Sequence, residues 1–291
     1  MNIIILCAGY GTRLQPLTHS VPKALVPLVD KPILAHQVAE ARNLPCEKIF
    51  VNSHHHTSYV HSFTSRRMEI DKVFYEEQLL GTGGPLARVY REGFESDLLV
   101  LNVDAYHNFD LADFVKKSQE SGADWTVFGL DHAAAPTVFV GPEGYVCGVK
   151  DLYGSESERA VTFTGISWYS AQALSRMEEG AFSATDFWKQ EFEYERYPLM
   201  ITQEDVSWYD LGTPKGFYEG NFARLNALGL SNFGQLAPKA GTARNSIVLG
   251  DTHFMEDVDL DECIVLNLAR LEKGAKLKRC VIGESFCWQI P

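Results

Sequence analysis

The N-terminal stretch MNIIILCAGYGTRLQPLTHSVPKAL, residues 1–25, contains the pattern around which the rest of the chain is organised. The apolar run 3–6 predicts a buried strand, and residues 7–12, most of which are small, predict a loop after it. Arg13 and Lys23 then place two cations ten residues apart. A glycine loop lets backbone N–H groups approach an anion, and nearby cations neutralise its charge. The stretch therefore predicts a binding site for a polyphosphate.

Composition and charge exclude several classes of protein. The chain has 291 residues, of which 45% are hydrophobic, as in a globular protein with a sizeable core. Its formal net charge of −12 argues against a nucleic-acid partner, because affinity for a phosphate backbone comes from clustered Lys and Arg. We expect no membrane partner and a cytoplasmic location, since no apolar run approaches ~20 residues and no basic signal segment is present. The six scattered cysteines are expected to be reduced thiols.

Strand-like and helical patterns alternate as far as residue 229. Strands are predicted at 48–52, 71–75, 97–103, 124–130 and 160–169, with a hairpin at 137–149. Helices are predicted at 32–42, 185–195 and 214–228, and from residues 85 and 111. This order predicts an α/β fold with a Rossmann-like, mixed, mostly parallel sheet flanked by helices.

Two carboxylates stand at the ends of predicted strands. Asp104 follows the apolar run 97–103, and Asp210 lies near the end of the short strand at 206–211. Open α/β sheets bind ligands at the carboxyl ends of their strands. Two converging carboxylates would bind a hard dication through oxygen, and Mg²⁺ is the expected ion. Each has an alternative role as a helix cap, although Asp110 is better placed to cap the helix at 111.

Glycines mark two further places in the first 229 residues. The loop Gly81-Thr82-Gly83-Gly84 lies between a strand and a helix, as in α/β nucleotide sites, although such junctions also carry glycine for structural reasons. Gly165 interrupts the strand at 160–169, and this predicts a bulge or the close approach of a ligand.

Three consecutive histidines, residues 54–56, follow the strand at 48–52. Ser53 is predicted to cap a helix that contains them and His61. Consecutive side chains on a helix point in different directions, and no Cys or acidic residue stands nearby at a familiar zinc-ligand spacing. The three histidines are therefore interpreted as a helix entry or a surface segment, in preference to a metal site.

The pattern changes in the C-terminal part of the chain. Apolar residues recur there at about six-residue spacing, and they include Val258, Ile264, Leu271 and Leu277. This predicts a short C-terminal left-handed parallel β-helix of hexapeptide coils. The seven-residue step after Ile264 keeps a small antiparallel β cap as the alternative. We predict two domains, 1–229 and 236–291, and the second is the segment through which a homo-oligomer would form.

The stretch LCAGYGTRLQPLTHSVPKALVPL, residues 6–28, resembles the signature of the sugar-1-phosphate nucleotidylyltransferases, the nucleoside-diphosphate-sugar pyrophosphorylases. Further matches follow in order: LLGTGGPL at 79–86, Asp104, FTGI at 163–166 and WYDLGTP at 208–214. Two branches of the family resemble the chain most. The N-acetylmuramate-1-phosphate uridylyltransferases share the N-x-D and F-T/S-G-I-S character, and the mannose-1-phosphate guanylyltransferases share LGTGGPL and the β-helical tail. The resemblance covers residues 1–228, and short β-helical tails occur in several branches of the family.

The resemblance implies a transferase that makes a nucleoside-diphosphate sugar and pyrophosphate from a nucleoside triphosphate and a sugar 1-phosphate. It implies that Arg13 and Lys23 are the catalytic cations and that Asp104 and Asp210 bind Mg²⁺. The implied nucleotide-binding residues are Leu6, Ala8, Gly9, Gly11, Thr12, Glu76, Gly81 and Thr82, and the implied sugar-binding residues are Thr164 and Gly165.

The identity of both substrates is left open by the sequence. Glu76 aligns with the family position that reads the base, and a carboxylate only accepts hydrogen bonds. It would therefore fit uracil, thymine or guanine and disfavour cytosine and adenine. Many family members carry Glu-Lys-Pro before the strand that contains the glycine. Here Lys150 lies in that region without the pattern, so the residue that contacts the sugar phosphate is not assigned.

Two other functions are alternatives to nucleotidyl transfer. A regulatory homologue that senses a nucleotide sugar would share the fold, but the presence of Arg13, Lys23, Asp104 and Asp210 together argues against it. A nicotinamide enzyme would require the pattern GxGxxG, and the loop GYGTRL lacks the third glycine.

Overall fold

The computed structural model describes residues 1–131, 136–154, 159–234 and 241–291, with Phe254 described by its backbone alone. The α-helices in these ranges are α1 Ile33–Arg42, α2 Thr57–Thr64, α3 Gly84–Arg91, α4 Leu111–Glu120, α5 Ala171–Ser175, α6 Ala184–Phe192 and α7 Pro214–Ala227. Short 3₁₀ turns occur at Thr12–Leu14, Leu17–His19 and Lys23–Leu25.

The strands as far as residue 210 are β1 Asn2–Leu6, β2 Pro27–Leu28, β3 Lys31–Pro32, β4 Ile49–Ser53, β5 Lys72–Tyr75, β6 Leu98–Asn102, β7 Ala105–His107, β8 Trp125–Leu130, β9 Val138–Val140, β10 Val146–Val149, β11 Tyr153–Gly154, β12 Arg159–Tyr169, β13 Leu199–Ile201 and β14 Trp208–Asp210. Those of the tail are β15 Gly241–Arg244, β16 Ile247–Val248, β17 His253–Phe254, β18 Val258–Asp261, β19 Ile264–Val265, β20 Arg270–Leu271, β21 Lys276–Lys278, β22 Cys280–Ile282 and β23 Cys287–Gln289.

The chain divides into two compact units that do not follow a single cut in the sequence. Unit 1 contains Met1–Gly9 and Leu34–Trp208, and unit 2 contains Tyr10–Ile33 and Tyr209–Pro291. The glycine loop is therefore divided, because its first residues belong to unit 1 and its two cations to unit 2.

Unit 1 is built on a ten-stranded sheet in the order β11-β10-β9-β12-β6-β1-β4-β5, with β8 paired to β12 and β13 paired to β8. Strand β1 pairs in parallel with β4 and β6, and β4 pairs in parallel with β5. Strand β12 pairs antiparallel with β6, β8 and β9. Among the described strands of this sheet, β10 and β12 run against the other eight. The predicted mixed, mostly parallel sheet is confirmed.

The centre of this sheet explains why the N-terminal stretch is so apolar. Ile3, Ile4 and Ile5 are all fully buried, as expected for a parallel strand that is covered on both faces. Because β1, β4, β5 and β6 run in parallel, their carboxyl ends meet at one edge. Cys7, Ser53, Glu76 and Val103 end or directly follow these strands, and they bring the predicted binding residues of unit 1 to that edge.

The prediction that Ser53 caps a histidine-containing helix is wrong. Ser53 belongs to β4 instead, because it pairs with Tyr75 in the ladder between β4 and β5, and it is buried there. Helix α2 begins at Thr57, so three of the four histidines precede it. Within the described ranges, no cluster of three or more His, Cys, Asp or Glu side chains is arranged to hold a metal.

The tail in unit 2 forms stacked parallel ladders whose strands are 17 residues apart. Ile247 pairs with Ile264, which pairs with Val281. The ladders β15-β18-β21 and β17-β20 repeat this interval. These pairings are compatible with the predicted β-helix, and each coil is one residue shorter than three hexapeptides. Residues 236–240, at the start of the predicted domain, lie outside the described ranges.

Left-handed backbone positions recur at the same interval as the ladders of the tail. Asn245, Glu262 and Arg279 have φ of 44°, 53° and 50°, so the turn between strands is repeated in successive coils.

All six cysteines lie in the described ranges, and each is a free thiol. None of the helices in those ranges combines the length and the apolar character needed to cross a membrane.

Candidate active site

A chain of hydrogen bonds crosses the carboxyl edge of the unit 1 sheet. The N–H of Cys7 donates to Oδ1 of Asn52 at 2.6 Å, and Nδ2 of Asn52 donates to Oε1 of Glu76 at 2.7 Å. The second oxygen of Glu76, Oε2, accepts from the N–H of Leu80 at 2.9 Å. The carboxylate predicted to read the base is thus held on both oxygens by the protein.

Glu76 is only 6% exposed, so its position depends on these partners. Asn52 has no place among the binding residues predicted from the sequence. A signal was present nevertheless, because Asn52 is a polar residue at the end of the apolar run IFV. A buried amide must find hydrogen-bond partners, and the parallel pairing of β1, β4 and β5 decides which groups those partners are.

The turn that carries Asp104 is held from two sides. On one side, the N–H of Val103 donates to the carbonyl of Leu6 at 3.2 Å. On the other, Nε2 of Gln37 on α1 donates to the carbonyl of Ala105 at 2.5 Å.

Burial lowers the pKa of His107, at the end of β7, to about 4, so this imidazole is neutral at neutral pH.

The loop of residues 81–84 is packed against a neighbouring segment. A Cβ at Gly81 would lie 2.4 Å from the carbonyl oxygen of Phe182, and one at Gly83 would lie 2.2 Å from the Phe182 ring. The hydroxyl of Thr82 accepts from the N–H of Ala184 at 2.9 Å. Two glycines of this loop are therefore explained by packing, because residues 182–184 approach them closely. This is the structural alternative that the sequence left open.

Gly83→Ala is expected to lower the free energy of unfolding by about 1–3 kcal/mol, the cost typical of overpacking a filled site. The backbone of Gly83 needs no left-handed φ, so the cost comes from the contact with Phe182 alone. Urea unfolding measures it. Phe182→Leu in the same chain should relieve part of the cost.

Gly141→Ala is the matched control for this substitution. A Cβ at Gly141 would meet only the carbonyl oxygen of Tyr145, at the ordinary contact distance of 3.7 Å. An equal loss of stability in both variants would contradict the packing explanation.

The predicted irregularity at Gly165 is confirmed by a shift of register between Phe163 and Ser167 in the ladder of β12 with β8. Gly165 has φ of 85°, and a Cβ there would lie 2.3 Å from Nδ2 of Asn102 on β6. The hydroxyl of Thr164 donates to the carbonyl of Phe128 at 3.0 Å. The close contact with the Asn102 side chain therefore explains why residue 165 is a glycine. The sequence alone did not indicate this contact.

Lys150, which has no assigned role, and Gly9 of the predicted phosphate loop both lie in open surroundings. Lys150 is exposed at the end of the β9–β10 hairpin, where its N–H donates to the carbonyl of Thr137 at 3.0 Å. A Cβ at Gly9 would meet no atom within 4 Å. Packing therefore does not require glycine at residue 9, and open space at this point suits a ligand that approaches the backbone.

In unit 2, short turns fold the segment 10–25 back on itself. Gly11 has φ of 65°, and its carbonyl accepts from the hydroxyl of Thr18 at 2.8 Å. A Cβ at Gly11 would lie 3.1 Å from the Cβ of Lys23, so the Lys23 backbone passes close to the glycine loop. The structure thereby brings the last glycine of the loop and the second cation close together within unit 2.

Arg13 and Asp210 form an ion pair within unit 2. The guanidinium NH1 lies 2.7 Å from Oδ2 of Asp210, and Oδ1 accepts from the N–H of Gly212 at 2.9 Å. Asp210 does not cap α7, because the hydroxyl of Thr213 accepts from Gly216 in that role. Carboxylate oxygens are the ligand atoms that hard dications prefer. In this structure the positive charge of Arg13 balances the negative charge of the Asp210 carboxylate.

Comparison with known proteins finds one family model and several relatives that match this chain. Residues 2–139 match the nucleotidyl transferase family. A mannose-1-phosphate guanylyltransferase catalytic subunit beta from Danio rerio is 27% identical over 98% of this chain and 86% of its own. A mannose-1-phosphate guanyltransferase from Pichia angusta is 26% identical over 80% of this chain and 66% of its own.

Solved structures show the same fold at lower identity. A putative glucose-1-phosphate thymidylyltransferase from Bacillus anthracis has a TM-score of 0.64 and 18% identity, over 81% of this chain and 98% of its own. HddC from Yersinia pseudotuberculosis has a TM-score of 0.62 and 18% identity, over 77% of this chain and 99% of its own. Together with the N-terminal signature, the family match and these relatives support the resemblance of this chain to the sugar-1-phosphate nucleotidylyltransferases.

Proposed function

We propose that this protein transfers the guanylyl group of GTP to a hexose 1-phosphate of the mannose type. The observation that carries the choice of base is the fixed carboxylate of Glu76, whose two oxygens each accept one hydrogen bond from the protein. The choice of sugar rests on the relatives named as mannose-1-phosphate guanylyltransferases, which match up to 98% of the chain.

The two hydrogen bonds that hold the Glu76 carboxylate support guanine as the base. Each carboxylate oxygen offers about two acceptor sites, so one site remains on Oε1 and one on Oε2. Guanine presents two adjacent donors, N1–H and the exocyclic amine, which can occupy both. Uracil presents one donor, N3–H, between two carbonyl oxygens, so the second carboxylate oxygen would face an acceptor. A carboxylate held in one plane therefore discriminates between the two bases.

The phosphates are assigned to the cations of unit 2. Arg13 offers a planar fork of donors that matches phosphate oxygens, and Lys23 supplies a second positive charge beside Gly11. Asp104 and Asp210 would hold Mg²⁺ through carboxylate oxygens. That ion would neutralise phosphate charge during the transfer.

The reaction needs no covalent intermediate with the protein. An oxygen of the sugar 1-phosphate forms a bond to the α-phosphorus of GTP, and the bond from that phosphorus to the bridging oxygen of pyrophosphate breaks. The leaving pyrophosphate carries the negative charge that Arg13 and Lys23 offset. Catalysis then consists of alignment and charge neutralisation.

A panel of nucleoside triphosphates and sugar 1-phosphates with Mg²⁺, read out by pyrophosphate release, tests this function. The highest kcat/KM is expected for GTP with mannose 1-phosphate. A higher value for UTP would overturn the guanylyl assignment. Silence across the panel, with nucleotide-sugar binding retained, would support a regulatory role instead.

Glu76→Gln is expected to lower kcat/KM for GTP by roughly 10- to 100-fold, the range for losing a hydrogen bond to a buried charge. The value for UTP should change much less, because an amide can still accept from N3–H. Glu77→Gln is the matched control, since Glu77 is the exposed neighbour of Glu76. Equal losses for both nucleotides would count against base reading by Glu76.

A further inference from the structure

Asn52 is 1% exposed and lies at the carboxyl end of β4. Its two polar atoms have opposite tasks in the hydrogen-bond chain. Oδ1 accepts from the N–H of Cys7, the first residue of the glycine loop after β1, and Nδ2 donates to Oε1 of Glu76. A primary amide is suited to both tasks, because it carries an acceptor and a donor on one planar group.

We propose that Asn52 is a positioning residue for base recognition: it fixes the plane of the Glu76 carboxylate and ties it to the start of the phosphate loop. This inference rests on the proposed function, because it takes Glu76 as the group that reads the base. Asn52 itself would touch neither the base nor the phosphates.

The physical reason is the freedom that Glu76 would otherwise have. Leu80 holds one oxygen, Oε2, and a carboxylate held at one oxygen can still rotate about that contact. The bond from Asn52 to Oε1 removes this rotation, so the remaining acceptor sites face a constant direction. Binding affinity rises when the binding group is already ordered before the ligand arrives.

The alternative is that Asn52 only joins neighbouring strands and stabilises unit 1. The two roles predict different results. A purely structural Asn52 would affect all nucleotides alike when it is replaced. A positioning residue would change the ratio of kcat/KM for GTP over UTP, and chiefly through the KM of the nucleotide and not that of the sugar 1-phosphate.

The test variant is Asn52→Asp, assayed with GTP and UTP at pH 8 and pH 6. At pH 8 the new carboxylate still accepts from Cys7 but repels Glu76, and the GTP-over-UTP ratio is expected to fall at least tenfold. Adjacent carboxylates raise each other's pKa and share a proton. At pH 6 a protonated Asp at residue 52 donates to Glu76 as the amide did, so part of the ratio should return.

The neighbouring titratable groups must be separated from this effect. They include Cys7, Glu77, His54, whose Nδ1 lies 3.0 Å from the backbone oxygen of Glu76, and Arg88, whose NH1 lies 2.7 Å from the backbone oxygen of Tyr75. All of these groups are present in the unmodified protein, so the ratio of variant to unmodified protein at each pH removes their contribution. A pH-dependent recovery in the variant alone then reports the pair at residues 52 and 76.

Asn221→Asp is the matched control. Asn221 is equally buried, and its amide accepts from the N–H of Val29 and donates to the carbonyl of Phe217. This control should lose stability without changing the ratio or gaining recovery at pH 6. Asn52→Ser, which introduces no charge, serves if Asn52→Asp does not fold, and it should lower the ratio without recovery at pH 6.

The outcomes separate the inference from the function. If the unmodified protein selects GTP, and both Asn52 variants keep its GTP-over-UTP ratio at both pH values, the positioning role is overturned while the function stands. If the unmodified protein transfers no nucleotide or shows no base selection, the proposed function fails, and the inference fails with it.

Discussion

Asp104→Asn is expected to lower the rate of nucleotidyl transfer by roughly three orders of magnitude, the largest loss we predict for a single substitution. A bound dication supplies several kcal/mol of charge stabilisation, and each tenfold in rate corresponds to about 1.4 kcal/mol. An amide keeps the shape of the side chain but contributes no negative charge to the ion. Initial rates at saturating substrates and increasing Mg²⁺ measure the loss.

The fold should tolerate this substitution. The turn is held by backbone groups of Val103 and Ala105, which Asp104→Asn leaves in place. The melting temperature should therefore change little. Triphosphate binding without metal should persist, because the loop and the cations of unit 2 are unchanged.

Asp110→Asn is the matched control for Asp104→Asn. Asp110 caps α4 by accepting from the N–H of Asp113 at 2.9 Å, and Asn caps helices about as well as Asp. Activity and stability should both stay close to those of the unmodified protein. Full activity in Asp104→Asn would instead rule out Asp104 as the proposed metal ligand.

Arg13→Ala is expected to lower kcat/KM by roughly 10²- to 10³-fold, as when one preorganised donor to a reacting oxyanion is removed. Arg13 is 58% exposed, so its ion pair with Asp210 is solvated and contributes little to stability. The same exposure leaves the guanidinium able to exchange Asp210 for a phosphate. Arg13→Lys should recover only part of the activity, because an ammonium lacks the planar fork.

Arg224→Ala provides the comparison within the same unit. Arg224 also makes two contacts to a carboxylate, with Nε and NH2 at 3.1 and 3.3 Å from Asp30. It is 22% exposed, so its removal should lower the melting temperature while kcat/KM stays the same. If Arg13→Ala behaved like Arg224→Ala, with lower stability and normal activity, Arg13 would be a structural residue.

Several features of the site could be predicted from the sequence because their signals are local. The run of three isoleucines fixed β1 at the buried centre of the sheet, and Asp110 was recognisable as a cap from its place before a helical pattern. The prediction for Ser53 failed because its pairing with Tyr75 extended the strand past the point where the local pattern favoured a helix.

The sequence by itself determined the class of fold, the resemblance to a family, and the loop with its two cations, since these depend on apolar periodicity and on residues close together in the chain. Only the tertiary structure decided the partners of those groups. Glu76 is held by a residue 24 positions earlier, and Arg13 pairs with one 197 positions later. Such contacts follow from strand order and packing, which bring distant side chains within hydrogen-bond reach and leave no periodic trace in the sequence.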